Sequence, residues 1–415
     1  MLQPESKSIG NPANSLRGRF RNAMAESPLR VVRPEFAALD KLRCWVEARD
    51  FAGYDPYDAL NSPVVRLLTG GSKWARLAAT QMLKRCPLNL RPMLLLRPGH
   101  NAKALGLFLE GYVRLHRSGD RTARESIARI LDLLEEQRGT WQHGHGWGYN
   151  FDWQSRVFFV PRGTPNGVCS SFIGHALLDA WETLREQRAL DLAAPIAEFM
   201  LCDLNRTPEG DTFCFSYTPI DRYAVHNANL LCASFLIRLH HVTGDSALRD
   251  AAVAALAYSM HHQRPDGSWP YSERAGSRWI DSFHTGFNLE SIRRFLVLGE
   301  AREFDQAYRA GCEFYARNLF LPDGAPKYFH DRLYPIDIHS AAEAITFFSG
   351  EPSYRGLARR VLAWVLANMY DGDGCFAFQK RKSLTIQIPY MRWSQAWMFR
   401  ALTAYTEKAP ERQSL

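Results

Sequence analysis

The chain lacks any apolar run of the roughly 18–20 residues that a membrane-spanning helix needs. Its opening stretch, MLQPESKSIGNPANSLRGRFRNAM, has no apolar segment of the kind a secretory leader carries. Cysteine pairs are missing too. Cys44, Cys86, Cys169, Cys202, Cys214, Cys232, Cys312 and Cys375 are scattered without CxxC spacing. That argues against a zinc ribbon or a disulfide framework and for reduced thiols, so a cytoplasmic location is expected. The composition is ordinary: 46% of the 415 residues are hydrophobic, with 51 Lys+Arg against 43 Asp+Glu. Disordered, collagen-like and mucin-like classes are thereby excluded. What stands out is a net charge of +8, which favours an anionic partner, and 11 Trp within 12% aromatics.

The organising feature is a repeat. Five times a Gly-rich, aromatic loop leads into an apolar segment, as in HGHGWGYNFDW…TPNGVCSSFIGHALLDAW and PDGSWPYSERAGSRWIDSFHTGFNLESIRRFL. A degenerate sixth copy is RPGHNAKALGLFLEGYVRL. Aligning Asn101, Asn166, Asn227, His284, His339 and Trp393 as equivalent helix starts gives intervals of 65, 61, 57, 55 and 54 residues. Amphipathic helices are expected between the copies, at 74–85, 121–137, 191–205, 247–262, 303–318 and 354–370. In RESIARILDLLEEQ, for instance, Ile127, Ile130, Leu131 and Leu134 form one stripe. The repeat segments, such as CSSFIGHALLDAW, are apolar nearly all round and must be buried on two sides. Six doubly buried helices alternating with six one-sided ones predict an all-α fold, the (α/α)6 toroid, over residues 31–410. The DG dipeptides predict short hairpins or turns in its loops. Residues 1–30 read as a flexible basic segment.

In such a toroid the long loops meet at one rim around the central cavity. The residues brought there fall at corresponding places. As substrate-binding candidates we take Trp147, Tyr149, Asp152, Trp153, Arg156, Asn166, Tyr217, Asp221, Tyr223, Asn227, Trp269, Tyr271, Trp279, Asn288, His339, Arg392 and Trp393. Trp and Tyr stack on sugar faces or on other flat ligands, while Asn, Asp, His and Arg bond hydroxyls or carboxylates. As catalytic candidates we take His226, His284, Tyr334 and Asp281. Two histidines at helix starts suit proton transfer near neutrality, and both are expected to face the cavity. Each candidate also has a structural reading: helix cap for the Asp and His residues, packing for Trp269 and Trp393. Loop arginines 156, 162, 222, 274, 278, 332, 381 and 392 suit an acidic ligand. His143 and His145 have no Cys or carboxylate cluster to complete a metal site, so no metal or cofactor is expected.

The toroid pattern with WGYNFDW, QRPDGSWPY and FHTGFNLES resembles proteins encoded with bacterial polysaccharide-biosynthesis genes. It is also similar in plan to toroidal polysaccharide lyases, unsaturated-glucuronyl hydrolases and glucuronyl C5-epimerases. That resemblance implies a carbohydrate-active enzyme working on an acidic, uronate-containing polysaccharide or oligosaccharide, with no nucleic-acid partner. His or Tyr would take the C5 proton while Asn or Arg neutralises the carboxylate, giving elimination or epimerisation. Three alternatives stay open. One is a glycoside hydrolase using two carboxylates among Asp152, Asp221, Asp281 and Asp337. Another is a non-catalytic glycan-binding or assembly protein. The third is terpenoid or prenyl chemistry, since QRPDGSW is similar to the repeat of triterpene cyclases and GDGCFAF to the Asp-x-Cys of prenyltransferases. No DxDD motif accompanies the former, and no His follows Cys375 to complete the latter.

Overall fold

The computed structural model describes residues 33–154 and 159–408. The expected flexible segment at 1–30 lies outside the described residues. Helices alternate between two rings. The outer ring is α1 (Pro34–Glu47), then, after two short inserted helices α2 (Pro63–Thr69) and α3 (Lys73–Arg85), the inner ring begins with α4 (Ala102–Arg117). Outer α5 (Ala123–Glu136) and inner α6 (Gly167–Leu184) follow. The third outer position is broken into α7 (Gln187–Ala193), α8 (Pro195–Glu198) and a π-helical turn, Phe199–Asp203. Then come α9 (His226–Thr243, inner), α10 (Ser246–His261, outer), α11 (Ser282–Val297, inner) and α12 (Asp305–Asn318, outer). The chain closes with α13 (Ile338–Ser349, inner), α14 (Arg355–Asn368, outer) and α15 (Trp397–Lys408, inner), the last entered through a π-helical turn at Met391–Ala396.

Each inner helix packs on the next, and α15 packs back on α4, so the ring is closed. The chemistry of the sequence permits this. A Cβ on Gly111 would sit 2.6 Å from the Phe399 ring, and one on Gly174 would sit 2.4 Å from Phe235. Only glycine allows inner helices that close. Inner helices are buried from end to end of their first three turns, as in Gly167–Leu178 of α6. Outer helices bury one stripe, as with Ile127, Ile130, Leu131 and Leu134 of α5. Four inner helices also meet through a buried charge cluster. Arg400 donates to Glu110 at 2.7 Å, Glu290 at 2.6 Å and Glu343 at 3.1 Å.

One expectation is corrected. The helix at 74–85 is not the first outer helix. That position belongs to α1, whose Arg43 pairs with Asp120 and whose Glu47 accepts the Tyr112 hydroxyl of α4. The Trp74–Arg85 stretch, within α3, is part of an insertion, with only Thr80 and Leu83 buried and Trp74, Ala78, Met82 and Arg85 exposed. The strands are short loop hairpins: 139–140 with 145–146, 153–154 with 159–160, and 206–209 with 212–215. A three-stranded piece joins 336–337, 379–380 and 385–386. The DG dipeptides form turns, with Gly267, Gly324, Gly372 and Gly374 all at positive φ.

Candidate functional site

The six inner helices share one start register. Their N-cap residues are Asn101, Asn166, Val225, Asp281, Asp337 and Tyr390, at intervals of 65, 59, 56, 56 and 53. Two residues beyond each cap stand Lys103, Val168, Asn227, Phe283, His339 and Arg392. All six line one pocket of about 170 Å³ at the loop-bearing end of the ring. The loops add Tyr57, Tyr149, Phe151, Trp153, Tyr217, Tyr271 and Tyr328, and the next helical position adds His284 and Trp393. Among the described residues that line it there is no Asp or Glu.

His284 is held from behind. Its Nδ1 lies 2.7 Å from Asp281 Oδ2, and its backbone N–H donates to Asp281 Oδ1 at 3.1 Å. One carboxylate therefore both caps α11 and orients the ring. A carboxylate accepts, so the proton sits on Nδ1 and Nε2 is left as the basic nitrogen. Trp279 donates its indole N–H to the same carboxylate at 3.1 Å and stacks on Tyr271 with centroids 4.7 Å apart.

His339 differs. It is buried against Phe283, with parallel rings 4.4 Å apart, and against Trp397 at 4.1 Å. Neither of its nitrogens has a hydrogen-bond partner among the described residues. Burial, reinforced by Lys103 and Arg392, holds its pKa well below the usual range, so the ring is neutral. Arg392 is already claimed: Asp55 takes it in two bonds, at 2.6 and 2.8 Å. Burial opposes its charge, and the Asp55 carboxylate outweighs that.

Lys103 has no such partner. Its ammonium stands over Phe172 at 4.3 Å, Trp397 at 5.2 Å and Phe287 at 5.4 Å. No described carboxylate pairs with it. Burial pulls its pKa down to about 7. Tyr149 and Tyr217 share a hydrogen bond of 2.8 Å, and burial pushes both phenols well above their ordinary value.

The sequence candidates divide accordingly. His284, His339, Tyr149, Trp153, Tyr217, Asn227, Tyr271, Arg392 and Trp393 line the pocket. Asp281 and Trp279 stand directly behind His284. His226 does not face the cavity, which corrects the expectation. It is the first residue of α9, not the third as His284 is of α11, so its side chain points about 200° away around the helix. Its ring nitrogens meet Ser259 Oγ and Glu273 Oε1, each at 3.3 Å, and burial lowers its pKa.

Several others also fall outside the pocket lining. Trp147 and Trp269 are core residues whose indoles donate to the carbonyls of Leu134 and Ser259. Asn166 caps α6. Asp221 holds a turn through the N–H groups of Tyr217, Thr218 and Tyr223. Tyr223 lies under Arg274, and Asp152 pairs with Arg66 at 2.5 Å. Asn288 is buried one turn below the rim, and Tyr334 is solvent-exposed. Arg156 lies outside the described residues. The lining residues absent from the sequence candidates are Tyr57, Lys103, Phe151, Val168, Phe283, Phe287 and Tyr328. The signal for Lys103 was its place two residues after the Asn101 cap, the rule that every copy obeys.

No family model matches the chain, and no curated protein matches it. Solved structures do. A cellobiose 2-epimerase from Bacillus thermoamylovorans superposes with a TM-score of 0.58 at 13% identity, over 74% of this chain and 87% of that one. A D-mannose isomerase gives 0.56 at 9% identity, over 74% and 86%. A GH76 α-mannanase from Bacteroides thetaiotaomicron gives 0.56 at 12% identity, over 74% and 86%. At such identities the likeness establishes the fold: this chain is an (α/α)6 toroid.

Proposed function

We propose that the chain is a carbohydrate-active enzyme that moves a proton on a sugar carbon next to a carbonyl or carboxylate group, with His284 as the proton-transfer residue. The carrying observation is the Asp281–His284 pair set against an aromatic pocket whose described lining has no carboxylate. Tyr149, Trp153, Tyr271 and Trp393 offer faces on which a sugar ring stacks. His284 Nε2 takes the proton. The electron pair left on carbon delocalises onto the neighbouring oxygen, where the Lys103 and Arg392 cations stabilise it. Delivery of a solvent-derived proton to the opposite face completes an epimerisation. Return of the proton to the neighbouring carbon, with the hydroxyl proton passing to the former carbonyl oxygen, completes an isomerisation, and departure of a β-leaving group that takes up a proton completes an elimination.

The neighbours include a sugar epimerase and a sugar isomerase, whose chemistry is of this kind by name. A uronate is the sugar favoured within this reading, because its carboxylate would be the ion-pair partner that Lys103 lacks among the described residues and would hold the buried amine in its charged form. A mannanase is also among the neighbours, but glycoside hydrolysis with two carboxylates calls for acids at the pocket. Asp281 and Asp337 are instead turned into hydrogen bonds with Trp279 and His284, and with Gln379 and Trp393. The test is product analysis by NMR with mannose, cellobiose and uronate oligosaccharides. A new epimer, ketose or unsaturated uronate that vanishes in His284→Asn supports the reading. New reducing ends without any of these overturn it.

A further inference from the structure

The insertion between α1 and α4 has two unlike sides. Inward, it builds a wall of the pocket. Tyr57 lines the cavity, Lys84 donates to the Tyr57 hydroxyl at 2.5 Å, and buried Arg91 ties Asp58 to the Tyr390 hydroxyl. Outward, it exposes apolar side chains that nothing described covers. Of the thirteen large hydrophobic side chains exposed among the described residues, seven lie between Leu67 and Leu95. Leu67 is 84% exposed, Leu68 77%, Met93 79% and Trp74 67%. Along α3, Trp74, Ala78 and Met82 recur every fourth residue, so they form one outward stripe.

From Pro63 to Pro98 the charge on this insertion is of one sign. Between Asp58 and Glu110 the chain has no Asp or Glu, while Arg66, Lys73, Arg76, Lys84, Arg85, Arg91 and Arg97 all fall between Pro63 and Pro98. Arg91 and Arg66 pair with carboxylates from outside the stretch. Lys73, Arg76, Arg85 and Arg97 have no carboxylate partner among the described residues. Exposed Leu, Met and Trp interleaved with unneutralised Lys and Arg is the composition of an element that lies in the headgroup layer of an anionic bilayer. The apolar tips enter the acyl boundary, and the cations meet the lipid phosphates. A second copy of this chain fits poorly there, because it would set one basic stretch against another.

We propose that the 63–97 insertion docks the enzyme on an anionic lipid surface, placing its pocket beside a membrane on which a saccharide is carried. The mode is peripheral, since no described helix is long and apolar enough to cross a membrane.

The test is cosedimentation of the full chain with vesicles of phosphatidylcholine alone, and of phosphatidylcholine with about one-third phosphatidylglycerol. Binding is expected to the anionic vesicles, with at least about a tenfold loss on neutral ones and a steep fall as salt rises. Two exposed-surface variants separate the terms: Leu67→Ser with Trp74→Ser and Met82→Ser, and Lys73→Glu with Arg85→Glu. Each should melt like the parent and lose at least about tenfold in vesicle affinity. Wild-type protein that stays in the supernatant with anionic vesicles at low salt overturns the proposal. So does vesicle binding that both variants retain. A concentration-dependent dimer that forms while vesicles go unbound, and that the apolar variant abolishes, overturns it in favour of a protein interface.

Discussion

The Asp281 carboxylate makes two bonds to one residue, accepting the backbone N–H of His284 at 3.1 Å and approaching its Nδ1 at 2.7 Å. The cap that starts the inner helix also fixes which ring nitrogen faces the pocket. Asp281→Asn should separate the two duties. Asn caps helices about as well as Asp, so stability should change by less than about 1 kcal/mol. Turnover should fall by about tenfold or more, because the amide neither holds the tautomer nor supports the imidazolium. A thermal melt beside an activity assay checks this, and a variant with full turnover would detach Asp281 from the site.

Lys103 makes stability depend on pH in a defined direction. Its folded pKa is about 7, against 10.5 when free, so between those values the unfolded chain binds the extra proton. Stability from this residue therefore rises with pH across that window. The burial cost is full below about pH 7 and fades toward pH 10.5. Lys103→Met removes the cost. Its stabilisation over the parent in denaturant titrations should be larger at pH 6 than at pH 9. An equal difference at both values would mean that the amine is not desolvated.

The shared register makes a prediction at the least polar of its six positions. Val168→Phe adds a ring to the pocket at a site with open space beside it. Folding should be retained, while sugar affinity drops by about tenfold through steric filling. Calorimetric titration measures it. Unchanged affinity would show that sugars bind elsewhere on the toroid.

The Arg400 cluster concerns stability. Arg400→Met leaves Glu110, Glu290 and Glu343 buried without their shared cation. Breaking a buried pair from one side costs about 3–5 kcal/mol, and here three acids lose the same partner. Burial, with Glu290 beside it, already pushes the Glu343 carboxyl well above its usual range, so part of the loss is met by protonation. Chemical denaturation should show the drop, smaller at acidic pH.

How far the sequence carries can be seen at individual positions. The alternation of apolar-all-round and one-sided segments sufficed for the double ring, because burial on one face or two is written in the hydrophobic period. The start register was not legible to within a residue. Asn101 and Asn166 are caps, whereas Asn227 and His339 lie two residues past theirs, and His284 and Trp393 three past. Helical geometry turns that slip into about 100–200° of direction. This is why His226 and His284 read as equivalent in sequence and part company in space. Trp147 and Trp269 misled for another reason, since a Trp in a rim loop reads the same whether its indole meets a ligand or a backbone carbonyl. Tyr57 sits in an insertion that no repeat anticipates.

Proton transfer from a bound sugar to His284 is the central step. The most direct measurement is deuterium exchange in D2O, followed by NMR on the mannose, cellobiose and uronate substrates. Wild-type protein should wash solvent deuterium into the C–H beside the carbonyl or carboxylate of at least one of them, or release an unsaturated uronate, and His284→Asn, folded as the parent, should do neither. Turnover of a sugar that gives neither deuterium in the product nor an unsaturated uronate, or the same rate in the variant, would contradict it.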